Sequence, residues 1–304
     1  MVNSKPGFSV WLTLFVIMIC FAANSVITRY LVLVSQVSPF LLTVIRFASG
    51  LGTLLLLTAI APTTFRHDKR DSSYFLGALF LGTYAFSISY GYLFISVAAG
   101  TFVFYTFVVL TMVAYSTIAD REKLTFRLIL GQLLGLLGVL VITFSRIASV
   151  TILGVLLMAA TGTSWGLYSA YGKKFKVAFS YTYNSFLILA ALAVIASIVI
   201  AGLGQHIFTS LSLQNLGLAL YMGMVSTALS YVVWNATVKK IAASLGGLVQ
   251  LIVPVLAPVL GLVFLHEQIT PTLVVGGGFV LFGIYLVGPT SSHNAVTTGS
   301  VART

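Results

Sequence analysis

The stretch "FLHEQITPTLVVGGGFVLFGIYLVG", Phe264 to Gly288, decides the fold, because the chain has already said it once as "TIADREKLTFRLILGQLLGLLGVLVIT", Thr117 to Thr143. With Glu122 set over Glu267, Thr125 falls on Thr270, Leu128 on Leu273, Gly131 on Gly276, Leu136 on Leu281 and Gly138 on Gly283. Both copies are an apolar run, a short polar break with a Glu, and a glycine-spaced apolar run. What the echo means depends on the solvent in which the chain folds.

The composition names that solvent. Of 304 residues, 59% are hydrophobic and 7% charged, with a mean hydropathy of +1.08. A soluble domain carries roughly 25% charged residues. So much apolar surface is stable in a bilayer. The net charge of +11 is no nucleic-acid signal, because Lys and Arg stand in short clusters between apolar runs and form no continuous basic face. The one cysteine, Cys20, has no partner within the chain and reads as a small apolar side chain in a helix. The run Phe8 to Ala23 is long for a signal peptide and reads as the first membrane span.

A membrane helix needs about 20 mostly apolar residues. Ten such runs occur, at 9–30, 39–61, 73–95, 100–119, 125–146, 151–172, 181–203, 213–235, 244–265 and 271–288. The breaks between them are too short to hold a soluble domain. Placing the N-terminus inside puts Lys5, Arg66, Lys69, Arg70, Arg121, Lys123, Arg127, Lys173, Lys174, Lys176, Lys239, Lys240 and Arg303 on one side. Only Arg29 and Arg146 fall on the other, and Arg46 lies within a span. Cytoplasmic loops collect cations, so both termini are expected in the cytoplasm. Glu122 then follows four crossings and Glu267 follows nine, so the two copies run in opposite directions. The chain is expected to be an all-α membrane protein of two inverted five-helix repeats, 1–147 and 148–289, with a disordered cytoplasmic tail, 290–304, and a central cavity between the halves. The starts of the halves align too, "FAANSVITR" (21–29) on "WGLYSAYGK" (165–173).

These motifs resemble those of a known family. The Glu–Thr–glycine-helix pattern, "IAASLGGLVQLIVPVLAPVLGLVFLHE" before its second copy, "SPFLLTVIRFASG" (38–50) and "SWGLY" (164–168) are similar to EamA-type carriers of the drug/metabolite transporter superfamily. The resemblance spans nearly the whole chain. It implies a ten-helix carrier of small organic solutes in the cytoplasmic (inner) membrane, often an exporter. Within the superfamily the aromatic content looks most like the YddG-type amino-acid exporters. Two departures stand out: Phe21 replaces the usual Trp of the first half, and Val109 and Phe126 stand where the second copy has Pro254 and Pro271.

The titratable groups narrow the chemistry. Every acid (Asp68, Asp71, Asp120, Glu122, Glu267) and every histidine (His67, His206, His266, His293) falls in a loop or at a helix end. Proton-driven pumps place such groups at mid-membrane, and organic cations call for a buried anion. The pattern therefore favours an uncoupled facilitator of neutral or zwitterionic solutes. Glu122 and Glu267 read as braces at helix starts, where acids are favourable. Arg46 sits about 10 Å below the outer end of its span at about 1.5 Å per residue. It has three readings: snorkelling to the outer interface, bonding helix-end carbonyls, or meeting a substrate carboxylate.

Polar and aromatic faces supply the candidate cavity. Tyr84, Ser87 and Gly91 share a face of the third helix; Thr161, Trp165 and Tyr168 share one on the sixth; Gly223, Thr227, Ser230 and Trp234 share one on the eighth. Tyr105, Gln250 and Asn24 add to them. Each also has a plain reading, hydrogen bonding between helices. Trp11, Tyr30, Tyr74 and Trp234 lie near span ends and read first as an interfacial belt. Pro254 and Pro258 are expected to kink the ninth helix and bare carbonyls that could meet a solute ammonium. The run Gly276–Gly278 lacks the strand and Lys-Ser of a phosphate loop; with Gly131, Gly135 and Gly138 it marks a packing pair, within or between molecules. No metal cluster, cofactor motif or catalytic pair is present in the sequence, so no enzyme is expected. Partners are a small-molecule solute and lipid, with a monomer or weak homodimer. The open alternatives are export of another metabolite or drug-like solute (nucleobase, vitamin), possibly proton-coupled, and a channel or structural subunit.

Overall fold

The computed structural model describes residues 7–62, 73–95, 97–144, 151–203, 211–265 and 270–287. Ten helical spans occur among them. They are α1 (Phe8–Arg29, continued by a π-helical turn Tyr30–Val34), α2 (Pro39–Ile60), α3 (Tyr74–Gly91), α4 (Val97–Ile118), α5 (Phe126–Phe144), α6 (Ile152–Gly172) and α7 (Ala178–Gly202). Next come α8 (Leu213–Val238), α9 in two segments (Ala243–Gln250 and Val253–Leu265) and α10 (Pro271–Val287). Eight of them are long and apolar enough to cross a membrane. The others are α10, which at 17 residues is slightly shorter, and α3, whose Tyr, Ser and Gly lower its hydropathy. Glu267, His266 and the tail from 290 lie outside the described residues, as do the basic residues of 63–72.

Each helix turns an apolar face outward, with Phe8, Ile118, Phe144, Ile152, Leu213 and Tyr285 among the most exposed side chains. In water such a surface would aggregate; in a bilayer it is the solvated face. Polar residues point the other way. Ser and Thr in the helices mostly return a hydrogen bond to the carbonyl four residues back, as Thr43 to Pro39, Thr53 to Ser49, Ser185 to Tyr181 and Thr237 to Val233.

The two copies of the echoed motif pack against each other. A Cβ on Gly131 would stand 2.9 Å from the Gly283 carbonyl oxygen, and one on Gly138 would stand 2.5 Å from that of Gly276. Contact runs up one helix as it runs down the other, so α5 and α10 are antiparallel. The contact Gly131–Gly283 becomes Gly276–Gly138 when each residue is replaced by its partner in the other copy. A contact that maps onto itself in this way lies about a local twofold axis. Inverted topology follows, two five-helix repeats run in opposite directions, and the α5–α10 pair is a contact within the molecule.

Besides the π-helical turn that ends α1, two helices depart from regularity within their length. In α8 the backbone widens into a π-helical stretch over Met222–Leu229 and returns to α-helix at Ser230. π-turns concentrate at functional sites. In α9 the regular helix is interrupted by a turn at Leu251 and Ile252, just before Pro254. Pro254 falls in the first turn of the second segment, where its missing N–H has no helical partner to lose. Pro258 lies inside that segment. The first segment is buried along its whole length.

Short bonds gather three loops at one end of the bundle. Lys173 (α6–α7) donates to Asp120 (α4–α5) at 2.9 Å and to the Ile241 carbonyl (α8–α9) at 3.2 Å. Lys239 donates to the Phe175 carbonyl and to that of Lys176 at 3.2 Å. Ser244 donates to Glu122 at 2.6–2.7 Å, and Gln132 donates to the Ser244 carbonyl at 2.9 Å. Glu122 therefore braces the start of α9, a different helix from the one that follows it in sequence. Every basic cluster among the described loops lies at this end, hereafter the basic end.

Candidate functional site

Phe21 and Trp165 are equivalent positions of the two repeats, and they touch, with ring centroids 5.4 Å apart and edge to face. Two equivalent residues can meet only at the local twofold axis. Trp165 thus marks the centre of the molecule, and rings surround it: Tyr84 at 5.0 Å, Tyr231 at 4.7 Å and Tyr168 at 5.7 Å. Trp234 closes on Phe21 at 5.8 Å. Tyr105 adjoins through Phe104, 4.4 Å from it and 6.2 Å from Tyr84.

The indole N–H of Trp165 donates to Gln250 Oε1 at 2.5 Å. Gln250 is held by its own amide, which donates to the Gly246 carbonyl at 3.1 Å and to Met112 Sδ at 3.3 Å. It stands at the last residue before the break in α9, so the break fixes where this acceptor sits. The first repeat has Phe21 and Tyr105 at the corresponding positions and cannot make this bond. The halves share a backbone plan and differ in chemistry at the axis. The site is aromatic, with one amide and several hydroxyls. It can hold an apolar or aromatic body on ring faces and orient it by hydrogen bonds.

A file of stacked rings leads from Trp165 to the basic end. Tyr168 stacks on Tyr181 at 4.8 Å, Tyr181 on Phe175 at 4.6 Å, and Phe175 on Tyr74 at 4.8 Å. Asn235 fixes the file, donating to the Tyr168 hydroxyl at 3.2 Å and to Thr182 at 3.0 Å. Tyr181 donates to the Tyr168 carbonyl at 2.9 Å. With the loop bonds, the file closes the basic end. The Lys173–Asp120 pair is partly exposed, at 17% and 38%, so it contributes about 0.2–1 kcal/mol. Asp120→Lys is therefore expected to speed amide exchange over residues 173–177 by up to about five-fold. Adding Lys173→Asp should recover most of that protection. Exchange that does not respond to either change would show the pair takes no part in the closure.

The other expected residues fall as follows. Tyr84 and Ser87 are buried on α3, as are Thr161 and Tyr168 on α6. Ser230 donates to the Ser226 carbonyl at 2.6 Å, facing its own backbone. Asn24 accepts weakly from Thr28 at 3.5 Å. Trp234 and Tyr74 do not form an interfacial belt. Trp234 is fully buried and donates to Ser169 at 3.0 Å, and Tyr74 packs under Phe175. Arg46 does not snorkel. It is 1% exposed, and its Nη2 donates to Thr28 Oγ1 at 3.1 Å and Met222 Sδ at 3.4 Å. The close fit of α2 on α8 holds it in: a Cβ on Gly223 would stand 2.8 Å from the Arg46 carbonyl oxygen.

Tyr231, Phe21 and Thr28 belong to the cluster and were not singled out as site residues from sequence. Phe21 carried a signal, as a departure at the position equivalent to Trp165. Tyr231 carried none, for a physical reason. A regular 3.6-residue period aligns Gly223, Thr227, Ser230 and Trp234, but the π-helical stretch carries more residues per turn. It shifts the face so that Met222, Ser226 or Thr227, and Tyr231 follow one another.

A repeated ten-helix plan with a polar-aromatic centre on its axis defines a membrane carrier. The EamA-like transporter family matches at residues 9–144 and again at 152–288, and the chain belongs to that family. It is similar to an uncharacterised protein of Pseudomonas aeruginosa, 32% identical over 275 residues and covering 89% of this chain and 91% of the relative. It is also similar to an uncharacterised transporter of Archaeoglobus fulgidus, 26% identical over 82% of this chain and 88% of the relative. The uncharacterised transporter YoaV of Bacillus subtilis is 25% identical over 86% of this chain and 91% of its own. A solved crystal structure superposes with a TM-score of 0.77, covering 93% of this chain and 98% of its own at 20% identity, and so shares the fold.

Proposed function

We propose that the protein is a secondary transporter of small neutral or zwitterionic organic solutes, amino acids including aromatic ones, working by alternating access. The ring cluster on the repeat axis carries this reading. Trp165, Tyr84, Tyr168 and Tyr231 pack their rings around one place, and Gln250 orients the indole. Sites of inverted-repeat carriers lie at such an interface near mid-membrane. Transport is uncoupled: the described acids, Asp120 and Glu122, both lie in the α4–α5 loop, away from the axis. The basic end faces the cytoplasm of the inner membrane, with both termini on that side, because Lys and Arg collect there. Closing and opening of the basic end, with the opposite motion at the other end, exposes the centre to each side in turn.

Counterflow in proteoliposomes tests this with labelled phenylalanine, tyrosine, leucine, uracil and spermidine. The aromatic amino acids are expected to equilibrate and to saturate. An imposed pH gradient is expected to produce no accumulation above equilibrium. Transport of spermidine in preference to the amino acids would overturn the substrate class, and accumulation driven by the pH gradient alone would overturn the uncoupled mechanism.

A further inference from the structure

Arg46 brings a positive charge into the interior of a membrane protein, and no acid bonds it among the described residues. Its neighbours through Nη2 are a hydroxyl and a thioether, Thr28 and Met222, both neutral. Its Nε and Nη1 have no partner among the described residues. A buried cation without a counter-charge is strongly unfavourable, and unpartnered buried donors call for an explanation.

Three hydroxyls share that condition: Ser226 Oγ, Thr227 Oγ1 and Tyr231 Oη, all on buried side chains and all without a partner among the described residues. They belong to the helix that supplies Met222. Within the π-helical stretch, Ser226 and Thr227 lie one turn beyond Met222 on its face, and Tyr231 lies one turn further. The Tyr231 phenol lies beside the Tyr84 phenol, without meeting hydrogen-bond geometry, and within electrostatic reach of Arg46. The π-turn also explains why Ser226 and Thr227 are free. In regular helix, Ser and Thr hydroxyls bond the carbonyl four residues back, as those of Thr53 and Ser185 do here. A π-helical backbone directs its own hydrogen bonds five residues back and displaces that carbonyl.

Seven buried side-chain polar atoms lack a partner among the described residues, and five of them are these: two on Arg46 and one each on Ser226, Thr227 and Tyr231. All five can donate. These unpartnered donors, on a cation and on the helix packed against it, lack an acceptor with negative charge. A carboxylate fits, with two oxygens and about four lone-pair sites. Tyr231 joins this donor set to the ring cluster, since its ring also packs on Phe21 at 5.8 Å and on Trp165 at 4.7 Å.

We infer that Arg46, with Ser226, Thr227 and Tyr231, is the receptor for the carboxylate of the transported solute, whose apolar body lies on the rings around Trp165. This rests on the transporter reading above and adds to it the group that selects among solutes. The carboxylate supplies the counter-charge that Arg46 lacks. An amide or an amine of the same shape leaves Arg46 unpaired and is rejected.

The test uses matched pairs that differ only in the charge of one group: phenylalanine and phenylalaninamide, leucine and leucinamide, acetate and acetamide. Thermal stabilisation and inhibition of counterflow are read on the wild-type protein. The acid of each amino-acid pair is expected to act at a concentration at least about ten-fold lower than its amide. Arg46→Gln is expected to bring the members of a pair within about two-fold of each other, and Arg46→Lys to keep part of the preference. Thr227→Val keeps the charge and removes one donor, and is expected to weaken the acids alone. Should the Arg46 variants not fold, the wild-type pairs still decide. Equal action of acid and amide in every pair overturns the assignment. Preference for the acid in the leucine or acetate pair, with no response to either phenylalanine compound, keeps Arg46 as receptor and overturns the aromatic reading. Chloride or phosphate matching the acids in stabilisation would make this a site for inorganic anions and overturn the carboxylate.

Discussion

A Gly138→Leu variant is expected to yield no monodisperse protein in detergent, whereas Gly278→Leu should purify and melt like the wild type. Both glycines stand among those that mark the same pair of packed helices in the sequence. A Cβ on Gly138 would stand 2.5 Å from the Gly276 carbonyl oxygen and 2.9 Å from the Val280 backbone nitrogen, while one on Gly278 would meet nothing within 4 Å. Backbone atoms cannot swing aside as a side chain can. Accommodating the larger side chain in place of Gly138 therefore means separating α5 from α10, one of the contacts that join the two repeats. Overpacking a core by added methylenes costs about 1–3 kcal/mol where side chains can adjust, and here they cannot. Total stabilities of roughly 5–15 kcal/mol leave little margin. Size-exclusion profiles and melting curves of the two variants decide the matter. Equal yield and equal melting would show that the repeats do not depend on this contact.

Trp165→Ala is expected to lower transport per folded molecule by at least about ten-fold. Trp165 is 3% exposed and packs on four other rings. Truncating such a side chain also destabilises the fold by about 3–5 kcal/mol, and the orphaned Gln250 acceptor adds about 1–3 kcal/mol, so the rate is read per folded molecule. Trp165→Phe keeps a ring and loses the N–H, so it should fall between the two. Tyr285→Ala, at a side chain 72% exposed on the lipid face, is the control and should leave transport unchanged. Counterflow rates normalised to folded protein check the series. An alanine variant that is folded and transports like the wild type would remove Trp165 from the site.

Much of the fold was legible because a bilayer enforces simple rules. Spans must be apolar and helical, so their number can be counted from composition alone. The echo around Glu122 and Glu267 has a parity that requires the halves to be inverted. Glycines spaced along the α5 and α10 segments marked a packing pair. What stayed hidden involves backbone irregularity. A π-turn has no signature in the one-letter code, so a period of 3.6 pointed to Ser230 where Tyr231 joins the rings. Proline pointed to a kink in α9, but nothing in the sequence showed that the turn at Leu251 places Gln250 under Trp165. Position along a span also misled. Trp234 and Tyr74 lie near span ends, yet both turn inward, because a loop and a neighbouring helix cover them.

The sequence by itself determined the solvent, the number of spans, the inverted repeat and the want of acid or histidine within the spans. All four are properties of composition and order along the chain. Only the tertiary structure decided that Phe21 and Trp165 meet on the axis, that Gly276 is pressed where Gly278 is free, and that Arg46 is buried with two nitrogens unpartnered. These are relations between residues far apart in the chain. They depend on how two helices are rotated against each other, and a shift of one residue per turn is enough to change that rotation.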